Sequence, residues 1–129
     1  VKTEDSRQIL RSTIPLKEAI VQWGNIAGLI AGLMKPDYEL IGRSLQDVVA
    51  EPVRSLLIPG FDLIKQKALD AGALGCGISG SGPTIFALST EGQLAVAVGN
   101  RCQEEFARLK LHSEVYISKI NTQGAKVID

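Results

Sequence analysis

The chain has 129 residues, enough for one domain with a single core, and its 14 Lys and Arg balance its 14 Asp and Glu. With no net charge and no basic stripe, neither nucleic acid nor an anionic membrane surface is an expected partner. The two cysteines, Cys76 and Cys102, suit neither a disulfide framework nor a zinc site, so reduced thiols are expected; the longest apolar run, residues 26–34, is about half of what a bilayer crossing needs.

The first residues, VKTEDSRQIL, include no initiator Met and no signal-peptide core, so the chain is expected to continue a longer protein. Thr3 followed by acids predicts an N-cap and a first helix. Ser12 or Thr13 is expected to cap a second helix, with Pro15 close to its start. Apolar residues at 16, 19, 20, 23, 26, 27, 30, 33 and 34 follow a helical period, which predicts a helix to about Lys35, where Pro36 stops it. Gly24, Gly28 and Gly32 recur every fourth residue on one face. Each costs a helix interior about 1 kcal/mol relative to Ala, and close packing of another backbone is the expected return.

DYELIGRSL predicts a shorter helix, and DVVAEPVRSLLIPGF, broken by Pro52 and Pro59, a single helical turn between bends. FDLIKQKALDAGA returns to a helical pattern and ends at Gly72, a C-cap candidate. ALGCGIS and TIFALST predict two strands around a Gly-Ser loop. EGQLAVAVGNRCQEEFARLK predicts an amphipathic helix, and SEVYISKI alternates like a strand with one face buried. The tail NTQGAKVID is expected to add a little extended structure. This order predicts an α+β fold, the ferredoxin-like split β-α-β-β-α-β motif, with its first strand largely truncated because only Val1 and Lys2 precede Thr3.

The loop over residues 77–83, GISGSGP, joins strand to strand. Dinucleotide and P-loop sites need a helix N-terminus after the glycines, so neither is expected here. Spacing alone leaves two readings open: a glycine-rich hairpin turn, or a loop flattened for the approach of a ligand or neighbouring backbone. His112, the sole histidine, falls in a polar turn and is assigned no role. Glu51, beside Pro52, is expected to form an ion pair or serve structure, not to act as a base. No catalytic residue is identified.

GISGSGPTIFAL resembles the third conserved motif of the GHMP small-molecule kinases. The resemblance implies that Gly77, Ser79, Gly80, Ser81 and Gly82 lie beside the phosphate site of ATP. DVVAEPVRSLLIPGF is similar to a signature of the homoserine kinases within that superfamily, which implies that Arg54 binds the carboxylate of L-homoserine. TEDSRQIL resembles a second such segment, implying that Thr3 and Arg7, four residues apart on one helix face, also meet the amino acid. Two guanidinium forks suit one α-carboxylate. Where those kinases continue with Pro, this chain has Arg11 after Leu10.

The resemblance spans residues 1–129 as a substrate-binding C-terminal domain. It implies an ATP-dependent cytoplasmic kinase of threonine biosynthesis that phosphorylates the side-chain hydroxyl of L-homoserine. A separate N-terminal domain, carrying the serine-rich phosphate loop, would bind ATP and Mg²⁺; this chain alone is expected to be inactive. Its own N-terminal domain and a second copy are the expected protein partners. The alternatives are another GHMP kinase or a free-standing amino-acid-binding module.

Overall fold

A computed structural model describes residues 3–128, leaving aside the side chain of Thr3. In chain order it contains α1 (Thr3–Gln8), α2 (Leu16–Met34), α3 (Tyr38–Ser44), α4 (Glu51–Arg54), a 3₁₀ turn (Ser55–Leu57), α5 (Phe61–Asp70), β1 (Gly75–Ile78), β2 (Ile85–Leu88) and α6 (Gly92–Arg108). The helical periods and the two apolar runs around the loop therefore became the elements they predict. One boundary differs: Pro15, in extended conformation, occupies the N-cap of α2, and no side chain caps it. Neither Ser12 nor Thr13 does so.

Helices α2 and α3 form a hairpin whose close contact is made by two of the three spaced glycines. A Cβ on Gly32 would lie 2.8 Å from Ile41 Cγ1 and 3.0 Å from its amide nitrogen, and one on Gly28 would collide with Ser44 Oγ. Gly24 does not share this role; it has nothing within 4 Å of an added Cβ. Two polar side chains of α2 fasten the turn after α3. Gln22 Oε1 accepts from Val48 N at 2.9 Å, and Asn25 Nδ2 donates to Gln46 O at 2.9 Å. On its other side α3 meets β1, where a Cβ on Gly42 would lie 2.9 Å from Leu74 O.

Strands β1 and β2 pair antiparallel, Gly75 opposite Leu88 and Ile78 opposite Ile85. Bonds from Leu74 N to Leu88 O and from Ser79 N to Thr84 O extend the ladder at both ends. Ala68 and Ala73, from α5 and just beyond it, pack with Cys76 of β1 and Val98 of α6, joined by Ile85 and Cys102. Both cysteines are free, and burial pushes the Cys76 thiol up to about 12.

The last predicted strand does not form. Among the described residues the sheet has two strands, and SEVYISKI (residues 113–120) makes no backbone ladder. Its alternating pattern is real, but a strand needs a neighbour for its N–H and C=O groups, and none lies beside it among the described residues. It lies against α6 instead: Gln103 Nε2 donates to Ser113 O at 3.0 Å, and Val115 Cγ1 fills the space over Gly99. Residues 121–128 likewise join no sheet.

The accessible surface is 9134 Å². A compact folded monomer of this mass, 13.8 kDa, exposes roughly 6,600 Å². Much of the difference is apolar, since Trp23, Ile30, Met34, Tyr116 and Ile120 all stand in solvent.

Candidate functional site

Three elements meet at the glycine-rich loop: α1, α4 and residues 79–82. The loop is a tight turn, with Gly82 N donating to Ser79 O at 3.1 Å. Gly80 at φ +60° and Gly82 at φ +78° both occupy the left-handed region, which disfavours any residue with a Cβ. Crowding adds to this only at Gly82, where a Cβ would come 3.3 Å from Ile58 Cδ1; beside Gly80 the space is open. A Cβ on Gly77, at the end of β1, would lie 3.1 Å from the Phe86 ring and 3.3 Å from Glu51 Oε2.

Helix α4 is short, and Asp47 sets its position. Its carboxylate accepts from Val49 N at 2.8 Å, Ala50 N at 2.9 Å and Glu51 N at 3.1 Å. An anion at a helix start satisfies the orphan amides and complements the dipole, and Pro52 in the first turn has no N–H to lose. One turn later comes Arg54. Its Nη1 donates to Gly80 O at 2.8 Å and its Nε to Ser6 O at 3.5 Å. Ser6, fully buried in α1, closes the triangle by donating from Oγ to Ser81 O at 2.8 Å.

Arg54 thus spends part of its guanidinium on backbone carbonyls of the loop and of α1, with donors to spare. Arg7, next to Ser6, is exposed; its carbonyl accepts from Leu10 N at 3.2 Å, and its guanidinium makes no hydrogen bond or ion pair among the described residues. The Thr3 side chain lies outside those described. Ser79 and Ser81 contribute backbone carbonyls: Ser79 O receives Gly82 N, and Ser81 O receives Ser6. Ser6 escaped the sequence reading. The one signal for it was a small hydroxyl residue within the charged run EDSRQ, a pattern that a solvated helix face shares.

Beneath the loop, Glu51 and Lys65 form a largely buried ion pair, and Lys65 Nζ also stands 5.9 Å from the Phe61 ring centroid. Glu51 is therefore a structural partner, as expected. His112 lines a surface depression of about 570 Å³ with Asn100, Gln103 and Glu104, which shares no residue with the loop, α1 or α4. Among the described residues no group of three His, Cys, Asp or Glu side chains gathers to hold a metal, and no helix is long and apolar enough to cross a membrane.

Residues 29–108 match the family model described as "GHMP kinases C terminal". The chain belongs to this family. Within it, the matched range of this GHMP kinase domain takes in α3 to α6, Arg54 and the whole glycine-rich loop. The chain is similar to the homoserine kinase of Chlorobaculum tepidum, 55% identical over 99% of this chain and 40% of that protein. It is also similar to that of Carboxydothermus hydrogenoformans, 38% identical over 97% of this chain and 40% of that protein. The crystal structure of homoserine kinase from Cytophaga hutchinsonii matches with a TM-score of 0.95 and 55% identity, covering 99% of this chain and 41% of that one. This GHMP kinase domain therefore spans about 40% of the length of these relatives.

Proposed function

We propose that this domain is the substrate-binding part of a homoserine kinase that transfers the γ-phosphoryl group of ATP to the side-chain hydroxyl of L-homoserine. The observation that carries the reading is the triangle at the loop. Arg54, whose sequence context is that of a carboxylate-binding arginine, is held against the backbone of the loop and of α1, the helix that also carries Thr3 and Arg7. An arginine fixed by two carbonyls pays less side-chain entropy when its remaining donors meet a carboxylate. Phosphoryl transfer depends mainly on such positioning.

Open space beside Gly80 suits the approach of a phosphate to the loop. ATP, once bound, supplies the phosphoryl group; residues 77–82 would lie alongside it, the remainder of its site being furnished by the other part of the protein. Mg²⁺ would be held mainly by the other part of the protein, and no step through it is derived from this chain. The same reading gives a cytoplasmic enzyme of threonine biosynthesis.

The reading also completes the sheet. In the split β-α-β-β-α-β order, a strand leading into Thr3 would lie between β2 and residues 113–120, giving both a partner. That arrangement explains why 113–120 keeps a strand pattern without a ladder.

The decisive experiment is homoserine binding by the full-length protein. Arg54→Ala is expected to weaken binding by about 10- to 100-fold, the loss of one charge-assisted contact. Unchanged affinity overturns the assignment. Binding of a neutral alcohol in preference to homoserine would move the domain to another GHMP kinase activity, and binding without phosphoryl transfer would make it an amino-acid-binding module.

A further inference from the structure

Among the described residues, helix α1 is fastened to the rest of the domain through one side chain. Glu4, Asp5, Arg7 and Gln8 are exposed, and Ser6 alone is buried, with 0% of its surface accessible. No apolar face docks this helix, and at six residues it is too short to hold its shape unaided. What holds it is polar. Ser6 Oγ donates to Ser81 O at 2.8 Å, and Ser6 O accepts from Arg54 Nε at 3.5 Å. That carbonyl is left for Arg54 because the chain tightens at the helix end, where Leu10 N turns to Arg7 O. Arg54 also donates from Nη1 to Gly80 O at 2.8 Å, so Ser6 and Arg54 hold adjacent carbonyls of the loop.

We propose that Ser6 is a positioning residue for phosphoryl transfer. Through Ser81 O and Arg54 it fixes α1, and with it Arg7, against the glycine-rich loop. It thereby aligns the amino-acid side of the site with the phosphate side. The inference rests on the reading of Arg7 and Arg54 as the groups that meet the homoserine carboxylate.

The neighbouring contacts do not supply an equivalent tie. Arg11, just beyond α1, pairs with Glu18 of α2 at 3.5 Å, but Arg11 is open to solvent and such a pair contributes little. The loop cannot place itself either. Its glycines at 80 and 82 carry no side chain, and its internal bond from Gly82 N to Ser79 O leaves the carbonyls of residues 80 and 81 to be held from outside. A hydroxyl suits this position because it is small enough to be buried in a helix while still donating. Alanine would keep the size and lose the donor, at a point where Ser6 leaves water no access to replace it.

The test is steady-state kinetics of the full-length protein, with urea midpoints confirming that each variant is folded. Ser6→Ala is expected to raise the KM for homoserine about 10-fold, the loss of one buried hydrogen bond, while the KM for ATP stays within about 2-fold. Ser6→Cys, close in shape but a weak donor, should fall between serine and alanine, and it serves as the measure if the alanine variant does not fold. A residue that merely supports folding would lower kcat together with the urea midpoint and leave both KM values unchanged. One that served the loop alone would raise the KM for ATP. Either result overturns the proposal. Arg7→Ala should raise the homoserine KM in the unmodified protein, and by at least about 3-fold less in the Ser6→Ala background, since Arg7 is already displaced there. Full additivity, or an Arg7→Ala variant without effect, overturns it as well. The substrate reading is judged separately by Arg54→Ala. If that variant loses homoserine while Ser6→Ala binds it normally, only the role of Ser6 fails; a protein that takes no homoserine sinks both.

Discussion

Helix α2 and residues 113–120 both present apolar side chains to solvent, Trp23 and Ile30 in the first, Tyr116 and Ile120 in the second. Their backbones are in opposite states. In α2 nearly every N–H finds its partner four residues back, so the helix is complete as a backbone and lacks cover only on its side chains. Residues 113–120 have no ladder, so both backbone and side chains wait on something outside the segment. A helix can thus stand at the edge of a fold with one face bare, whereas a strand cannot exist without its neighbour. The two needs therefore differ: apolar cover for the side chains of α2, and a strand for 113–120.

The largest expected effect separates those two needs. Hydrogen exchange is to be compared between this chain and the full-length protein. Protection at 113–120 should rise by about 100-fold or more when the upstream strand is supplied, while the interior of α2 should change by less than about 10-fold. Equal, low protection of 113–120 in both would refute the proposed sheet order.

A smaller effect probes the two faces of α2 against each other. Gly32→Ala forces a methyl group into Ile41 and should destabilise by about 1–3 kcal/mol. Gly24→Ala, on the open side, should stabilise this domain by up to about 1 kcal/mol through helix propensity. Urea midpoints of this chain measure both; equal costs at the two sites would mean that the faces are not distinct.

The smallest effect concerns β1, the strand that is paired where 113–120 is not. The buried Cys76 thiol keeps its proton in the folded chain to about pH 12, while in the unfolded chain it ionises near 9. Between those values the folded state holds more protons, so stability should fall as pH rises above about 9. Cys76→Ala should flatten that decline, as read from denaturant midpoints at pH 8 and 10. An unchanged slope would locate the alkaline sensitivity elsewhere.

Much of the chain was legible because its causes are local. The four-three spacing from Leu16, the breaks at Pro36 and Pro59, and the glycines at 80 and 82 act through neighbouring backbone, and each appears in the structure much as its residues dictate. The single helical turn that carries Arg54 also forms as its residues predict. Its partners were not legible, because Arg54 reaches Ser6 across 48 positions and Ser6 reaches Ser81 across 75, distances over which no period or cap operates.

The sequence by itself therefore determined the helices, the two paired strands and the left-handed turns of the loop, all stabilised by interactions among residues close in the chain. Only the tertiary structure decided that Ser6 and Arg54 would tie the loop to α1, that Gly28 and Gly32 would pack while Gly24 stayed bare, and that SEVYISKI would remain unpaired. Those outcomes depend on which surfaces meet, and a strand pattern or a glycine spacing states only what a segment could accept, not whether its partner is there.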